Sequence, residues 1–323
     1  MTSRLPDVLV IGAGVSGLTT AVCLAEAGYA VRVRAMRPPL DTTSCAAGAL
    51  WGPYLIDDDR VARWSDTTRV VLERLARDQG KDTGVRLVHG LEAARITVDP
   101  PAWVTRLDGF AVGRPHEMPS GYRSGWWYRA PIVDMPHYLR YLTSRLADRG
   151  GKIEIGAVTS LDEAHDRAPV AVNCTGFGAC DLVPDGEVTP IKGQLVVVDN
   201  PGIEHFFAGY DHDDSPDLTY IFPQGEHVVL GGTAVRGRAD TTPDPRATQG
   251  ILRRCAAVEP ALAGVRVHGV RVGVRPSRPR VRLERVEIDS RAVIHNYGHS
   301  GSGVTLSWGC AFDVLALVRA THA

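Results

Sequence analysis

The sequence predicts an α/β fold. A Rossmann-like dinucleotide-binding domain is built from both ends of the chain, and an antiparallel-sheet α+β domain comes from the middle. Three observations carry this. Gly12-Ala13-Gly14-Val15-Ser16-Gly17 stands between a β-like and a helix-like run near the start of the chain. A second glycine-rich stretch, His295 to Thr305, stands between Ala292-Val293-Ile294 and the apolar run Leu306 to Ala320. Between them, from Lys192 to Val274, the pattern changes to short β-rich runs separated by Gly, Pro and Asp. A glycine-rich strand-to-helix turn gathers backbone N–H groups around an anion. Two such turns at opposite ends predict that the termini fold back onto one cofactor.

Taken in order, Asp7 to Ile11 is a continuous apolar run of the kind buried in a parallel sheet. The periodicity predicts a helix over Leu18 to Ala27, closed by Gly28, and a second strand over Ala30 to Ala35. Arg37 to Trp51 is Thr-rich and small-residue-rich, hence a loop, with a helix start near Ala46. Arg60 to Asp78 is an amphipathic helix with Val61, Trp64, Val71 and Leu75 as its apolar stripe. Met135 to Arg149 is another, with Leu139, Leu142 and Leu146 on one face. Lys152 to Ile155 and Val170 to Asn173 are strands that return to the nucleotide domain. Leu195 to Val198, Thr219 to Phe222, His227 to Leu230 and Val267 to Val274 form the second sheet, interrupted by a helix over Arg246 to Val258. Residues 1–50, 133–190 and 286–323 then make the nucleotide domain, and 51–132 with 191–285 the substrate domain.

The chain has 323 residues, 44% hydrophobic and 23% charged, enough for ordinary cores. A net charge of −1 supplies no overall field to hold nucleic acid or an anionic membrane. No segment is apolar for long enough to span a bilayer. The six cysteines form no CxxC pair and no Cys/His cluster, so buried free thiols are expected and no metal. Histidines such as His137, His205 and His227 show no ligand spacing. Met1 to Pro6 lacks a signal pattern and the tail Arg-Ala-Thr-His-Ala is not a peroxisomal address, so a cytoplasmic setting is expected.

Gly12, Gly14 and Gly17 fit GxGxxG in strand–turn–helix context: a tight turn, close approach to a pyrophosphate, and close helix–strand packing. The motif does not separate FAD from NAD(P). The acid expected at the end of the second strand is missing. Met36 stands there, followed by Arg37, which suits either a 2′-phosphate or an adenine or phosphate contact. In Leu40 to Gly48, the hydroxyls of Thr42, Thr43 and Ser44 can bond phosphate or a ring edge, or serve simply as helix caps. In Val272 to Arg285, Pro276 holds Arg275 extended, and a guanidinium fork suits a carboxylate. Arg278, Arg280 and Arg282 read as alternating solvated arginines of an edge strand. A lone Tyr such as Tyr220 is more commonly core packing than a ligand.

His295 to Thr305 closely resembles the signature of the D-amino-acid oxidase family, which includes D-aspartate oxidase, and the resemblance extends from Val8 to about Leu317. It implies FAD as cofactor. By that resemblance the FAD contacts are Gly12, Ala13, Gly14, Val15, Ser16, Gly17, Arg37, Thr42, Thr43, Ser44, Gly48, Val158, Thr175, Gly176, Gly301, Gly303, Val304 and Thr305. It likewise implies that Arg275 and Tyr220 fix a substrate carboxylate, that the Gly301 carbonyl accepts from the amine, and that Tyr54 lines the pocket. Gly52 departs from a larger polar residue there, and the second lid tyrosine has no clear counterpart, Tyr210 being the nearest candidate. His299 is structural, since the mechanism needs no imidazole. The implied reaction is oxidative deamination of neutral D-amino acids to 2-oxo acids, ammonia and H2O2, by hydride transfer to flavin N5 with O2 as the final acceptor. A homodimer is compatible with the sequence.

Three alternatives stay open at this level. D-aspartate oxidases resemble the chain in Gly231-Gly232-Thr233 but carry an arginine where it has Ala234; Arg236 lies two residues on, on the same strand face. Met36-Arg37 motivates an NADP-dependent reductase. A catalytically silent flavoprotein is the third, against which stands the joint presence of Arg275, Tyr220 and Gly301.

Overall fold

The computed structural model describes residues 7–53, 58–210, 217–288 and 291–321. The first half runs β1 (Asp7–Ile11), α1 (Val15–Glu26), β2 (Ala30–Ala35), α2 (Val61–Asp78), α3 (Gly80–Thr83), β3 (Val85–Ala94), β4 (Ala111–Val112), β5 (Ser124–Val133), α4 (Met135–Ala147), β6 (Lys152–Ile155), α5 (Leu161–His165), β7 (Val170–Asn173) and α6 (Ala179–Leu182). The second runs β8 (Thr189–Asp199), β9 (Phe206–Tyr210), β10 (Asp217–Gln224), β11 (His227–Thr233), β12 (Val235–Arg236), α7 (Pro245–Val258), β13 (Val267–Ser277), β14 (Arg282–Ile288), β15 (Arg291–Tyr297) and α8 (Gly303–Arg319).

A six-stranded sheet has the order β14-β15-β7-β1-β2-β6 and is parallel except for the β14–β15 pair. The last strands of the chain therefore lie beside the first, as the paired glycine turns predict. Two bonds tie the ends together: Ser16 Oγ donates to the Asn296 carbonyl at 3.3 Å, and Asn296 Nδ2 to Thr20 Oγ1 at 3.1 Å. α1 and α8 are apolar on nearly every side, the pattern of helices buried all round. α1 begins at Val15 and not at Leu18, because Gly14 supplies the extended N-cap and Val15-Ser16-Gly17 fill the first turn.

α2 packs on α8 where Gly309 leaves no room for a side chain. A Cβ there would lie 2.4 Å from the Trp64 Cα, and the Gly309 N–H donates to Thr68 Oγ1 at 3.0 Å. Its buried stripe is Val61, Trp64, Thr68, Leu72 and Leu75. Val71 is only half-buried, because the helical advance brings Leu72 to the core face instead.

The second sheet runs β12-β8-β11-β10-β9-β3-β5-β4, and β13 pairs with β8 along the edge opposite β11. It is mixed and not purely antiparallel, since β3 and β9 run parallel. The expected helix start near Ala46 is corrected as well. The loop instead holds two 3-10 turns, Pro39–Asp41 and Thr43–Ala46; the second ends at Ala46, and Ala47 is extended. Among the described residues no helix is long and apolar enough to cross a membrane.

Candidate active site

The N-terminal turn is set by backbone contacts. Gly12 has φ +112°, and a Cβ on it would meet the Cys174 carbonyl oxygen at 2.4 Å. A Cβ on Gly17 would lie 2.0 Å from the Gly12 carbonyl oxygen, so only glycine lets α1 close onto β1. Neither α1 nor α8 has a side-chain cap or an acidic residue in its first turn. Both N-termini present their positive ends, and Gly303 lies against Val15, where a Cβ would meet Cγ1 at 3.7 Å. That pair fits an anionic dinucleotide, the group the glycine motif calls for.

The Thr42–Ser44 loop closes over this turn. Ser44 Oγ accepts from the Val15 N–H at 2.9 Å, and a Cβ on Gly14 would come within 2.9 Å of that oxygen. Thr42 Oγ1 donates to the Pro39 carbonyl at 2.7 Å, while Thr43 Oγ1 accepts from the Val274 N–H at 3.3 Å and so bridges to β13. The hydroxyls thus build the loop and tie it to α1 and to β13. Thr175 folds back on Asn173, its N–H and Oγ1 donating to Oδ1 at 3.1 and 2.7 Å, and Gly176 follows at φ +61°. Ala13, Val304 and Thr305 are buried. Thr305 Oγ1 donates to the Gly52 carbonyl at 3.1 Å. Val158 is half-buried beside the Leu9 and Ile11 cluster, and Arg37 is exposed after β2.

The second sheet brings Tyr220 and Arg275 together. A Cβ on Gly193 would meet the Arg275 Nη1 at 2.7 Å, so the guanidinium lies across β8, and Nη1 donates to the Thr233 carbonyl at 3.0 Å. The Tyr220 ring covers β11: a Cβ on Gly231 would be 1.6 Å from its Cζ, and one on Gly232 2.7 Å from its hydroxyl oxygen. Phe222 stacks on the ring at 4.6 Å, and Gly48 leaves room for it, a Cβ there meeting Cε2 at 3.0 Å. Burial raises the Tyr220 hydroxyl pKa and lowers that of Arg275. Among the described residues Arg275 has no carboxylate partner. A cation largely withdrawn from water gains from an anionic partner, and a guanidinium fork is shaped for a carboxylate.

Gly301 (φ +103°) is exposed at the tip of the C-terminal turn, which is pinned to the end of β13. The Ser300 N–H donates to the Pro276 carbonyl at 3.0 Å, and Ser300 Oγ both accepts from the Arg278 N–H and donates to the Arg278 carbonyl at 3.0 Å. His299 is buried with a ring nitrogen 3.2 Å from Asn296 Oδ1, and burial pushes its pKa down to about 4. Tyr54 lies outside the described residues, as does most of the lid segment after Tyr210.

Two corrections concern the basic strand. Arg278 and Arg282 are not solvated. Arg278 Nε donates to Asp185 Oδ2 at 3.2 Å and its other arm contacts Glu187. Arg282 Nη1 donates to the Tyr297 hydroxyl at 2.8 Å, which donates to Asp185 Oδ2 at 2.8 Å. Strand alternation does not reveal them because their partner Asp185 sits in a distant loop. Arg280 is exposed as expected. Sequence reading also passed over Arg271, whose Nη1 is buried with no hydrogen-bond partner among the described residues. Burial raises the Cys45 thiol pKa, and the Arg271 charge acts against it, placing that cation by the Thr42–Ser44 loop. Its spacing of four from Arg275 on one strand face was the available signal.

A parallel sheet carrying two converging glycine turns, with a half-buried guanidinium beyond them, defines a dinucleotide-dependent oxidoreductase. The chain belongs to the DAO family of FAD dependent oxidoreductases, which it matches over residues 7–317. It is 47% identical over 315 residues to a D-amino-acid oxidase of Rubrobacter xylanophilus, covering 97% of this chain and 95% of that one. It is 46% identical over 314 residues to a D-amino-acid oxidase of Streptomyces coelicolor, covering 96% of each. The solved glycine oxidase of Geobacillus kaustophilus superposes with a TM-score of 0.80 at 17% identity, over 98% of this chain and 95% of that one, a likeness of fold.

Proposed function

We propose that this protein oxidatively deaminates neutral D-amino acids to 2-oxo acids and ammonia, with release of H2O2. The observation that carries the reading is the half-buried Arg275 guanidinium, without a carboxylate partner among the described residues and converging with Tyr220 over Gly231 to Thr233. The relatives at 46% and 47% identity, both D-amino-acid oxidases, support it.

FAD, when bound, supplies a hydride acceptor at N5 and passes the electrons on to O2. The glycine turn Gly12 to Gly17, the Thr42–Ser44 loop, Gly48, Val158, Thr175-Gly176 and Gly303 to Thr305 would hold it, with Arg37 and Arg271 as cations at its edge. Arg275 takes the substrate carboxylate through its fork, and the Tyr220 hydroxyl adds a second bond. The Gly301 carbonyl accepts from the amine. With the amine neutral, its lone pair stabilises the charge that develops as the α-hydrogen leaves, so no protein base need approach that carbon. Three fixed points admit one enantiomer with its hydrogen aimed at the flavin. The neutral His299 is engaged with Asn296, in keeping with a role in shaping the turn. Arg236 is exposed on the short β12, which favours neutral over acidic side chains. Strand membership of the two sheets supports the division into a cofactor domain from both chain ends and a substrate domain from the middle. The six free cysteines support a reducing, cytoplasmic setting.

A peroxide-coupled assay on the FAD-loaded protein with paired D- and L-isomers of alanine and valine tests the reading. Peroxide from the D-isomers alone supports it; peroxide from the L-isomers, or from neither, contradicts it.

A further inference from the structure

We propose that Asp199, His227 and His268 form a binding site for a divalent transition metal of the imidazole-preferring class, Zn2+ foremost. The three residues come from adjacent strands of the second sheet. Asp199 ends β8, and His227 is its direct register partner at the start of β11. His268 comes from β13, on the other edge of β8. There the β8–β13 register shifts between Val267 and Gly269. A bulge at that point breaks the alternation of the strand and re-aims a side chain, here the imidazole of His268 toward Asp199.

One ligand atom from each residue lies within 4.8 Å of the other two. His268 Nε2 touches Asp199 Oδ1. The rings of His227 and His268 sit 4.4 Å apart and tilted by 58°, not stacked face to face. Two imidazoles and one carboxylate are the donor set of Zn2+ and its neighbours, and a poor one for Mg2+ or Ca2+, which take oxygen. Both histidines are exposed, so an ion reaches them from solvent, and three protein ligands leave a fourth position for water.

The site is remote from the oxidation chemistry. Arg275 pairs with Ile191 at the other end of β8, eight residues from Asp199. At roughly 3.3 Å per residue the separation is about 26 Å. The metal therefore clamps β11, β8 and β13 together and leaves the reaction untouched, so the proposal stands or falls apart from the oxidase reading.

The test is titration of the chelator-stripped, FAD-loaded protein with ZnCl2, read by calorimetry and by competition with a chromophoric chelator. One Zn2+ per chain is expected, with a higher Tm and unchanged D-alanine turnover. His227→Ala, His268→Ala and Asp199→Asn should each weaken binding at least about tenfold, the lower end of what losing even an outer partner costs a metal site. His116→Ala, at an exposed histidine elsewhere, should not. Absence of saturable one-site uptake, or uptake equally tight in the His268→Ala protein, overturns the proposal. So does Zn2+ inhibition of turnover that persists in that variant, since the ion then binds elsewhere.

Discussion

Tyr220 and Arg275 converge on the Gly231–Thr233 segment of β11 from opposite flanks. Arg275, on β13, crosses β8 above Gly193 to donate to the Thr233 carbonyl. Tyr220, on β10, covers Gly231 and Gly232 of β11. Glycines on the two intervening strands make the approach possible, because any side chain there would occupy the space of the ring or the guanidinium.

Arg275→Ala should cost roughly 2–5 kcal/mol in kcat/KM for neutral D-amino acids, the range for stripping one partner from a buried charge pair. FAD should stay bound, since the cofactor loops meet β13 through Val274 and not through the Arg275 side chain. Steady-state kinetics and the flavin absorbance of the purified variant check both parts.

Gly231→Ala displaces the Tyr220 ring, because the new Cβ would lie 1.6 Å from Cζ. The overpacking costs about 1–3 kcal/mol of stability. Tyr220→Phe removes only the hydroxyl, worth about 0.5–1.5 kcal/mol as a hydrogen bond. KM should therefore rise more in Gly231→Ala than in Tyr220→Phe, and Tm should fall clearly only in the former.

Gly17→Ala places a methyl group 2.0 Å from the Gly12 carbonyl oxygen, a backbone atom that cannot step aside, and the methyl itself is held rigidly by the Gly17 backbone. The turn opens and the cofactor loses its cradle. The variant should purify without flavin colour, and added FAD should not raise its Tm.

Stability should fall as pH drops from about 6.5 through about 4. Burial lowers His299 to about 4, and burial with the Arg282 charge lowers His295 to about 4. The unfolded chain, with histidine pKa near 6.5, then takes up protons that the folded chain refuses. The contribution is fully present above pH 6.5 and is lost toward pH 4. Urea denaturation at pH 7, 6 and 5 measures the slope, which should be shallower in His299→Gln.

The strands of the βαβ unit and its neighbours were legible residue by residue. β1, β2, β6 and β7 are short apolar or alternating runs bounded by glycine or polar residues, and they form where the pattern puts them. β3 and β5 were not assigned from the sequence: Glu92, Arg129 and Pro131 interrupt the apolar pattern that marks a strand. Arg129 is exposed, and the burial of Glu92 is made tolerable by cross-strand chemistry, the Tyr128 hydroxyl donating to its Oε2 at 2.7 Å. Arg275 and Tyr220 were singled out through family resemblance, but the glycines that let them converge on Gly231 to Thr233 belong to other strands. Arg278 and Arg282 were misjudged for the same reason: their partner Asp185 lies far off in sequence, and spacing along one strand carries no trace of it. The bulge that turns His268 toward Asp199 is equally invisible in the sequence.

The most direct measurement is anaerobic mixing of the FAD-loaded protein with D-alanine, D-valine, D-aspartate and their L-isomers, following the oxidised flavin band. Bleaching by the neutral D-isomers alone is the expected result. Bleaching by L-isomers, by D-aspartate alone, or by none of them with FAD still bound would contradict the assignment.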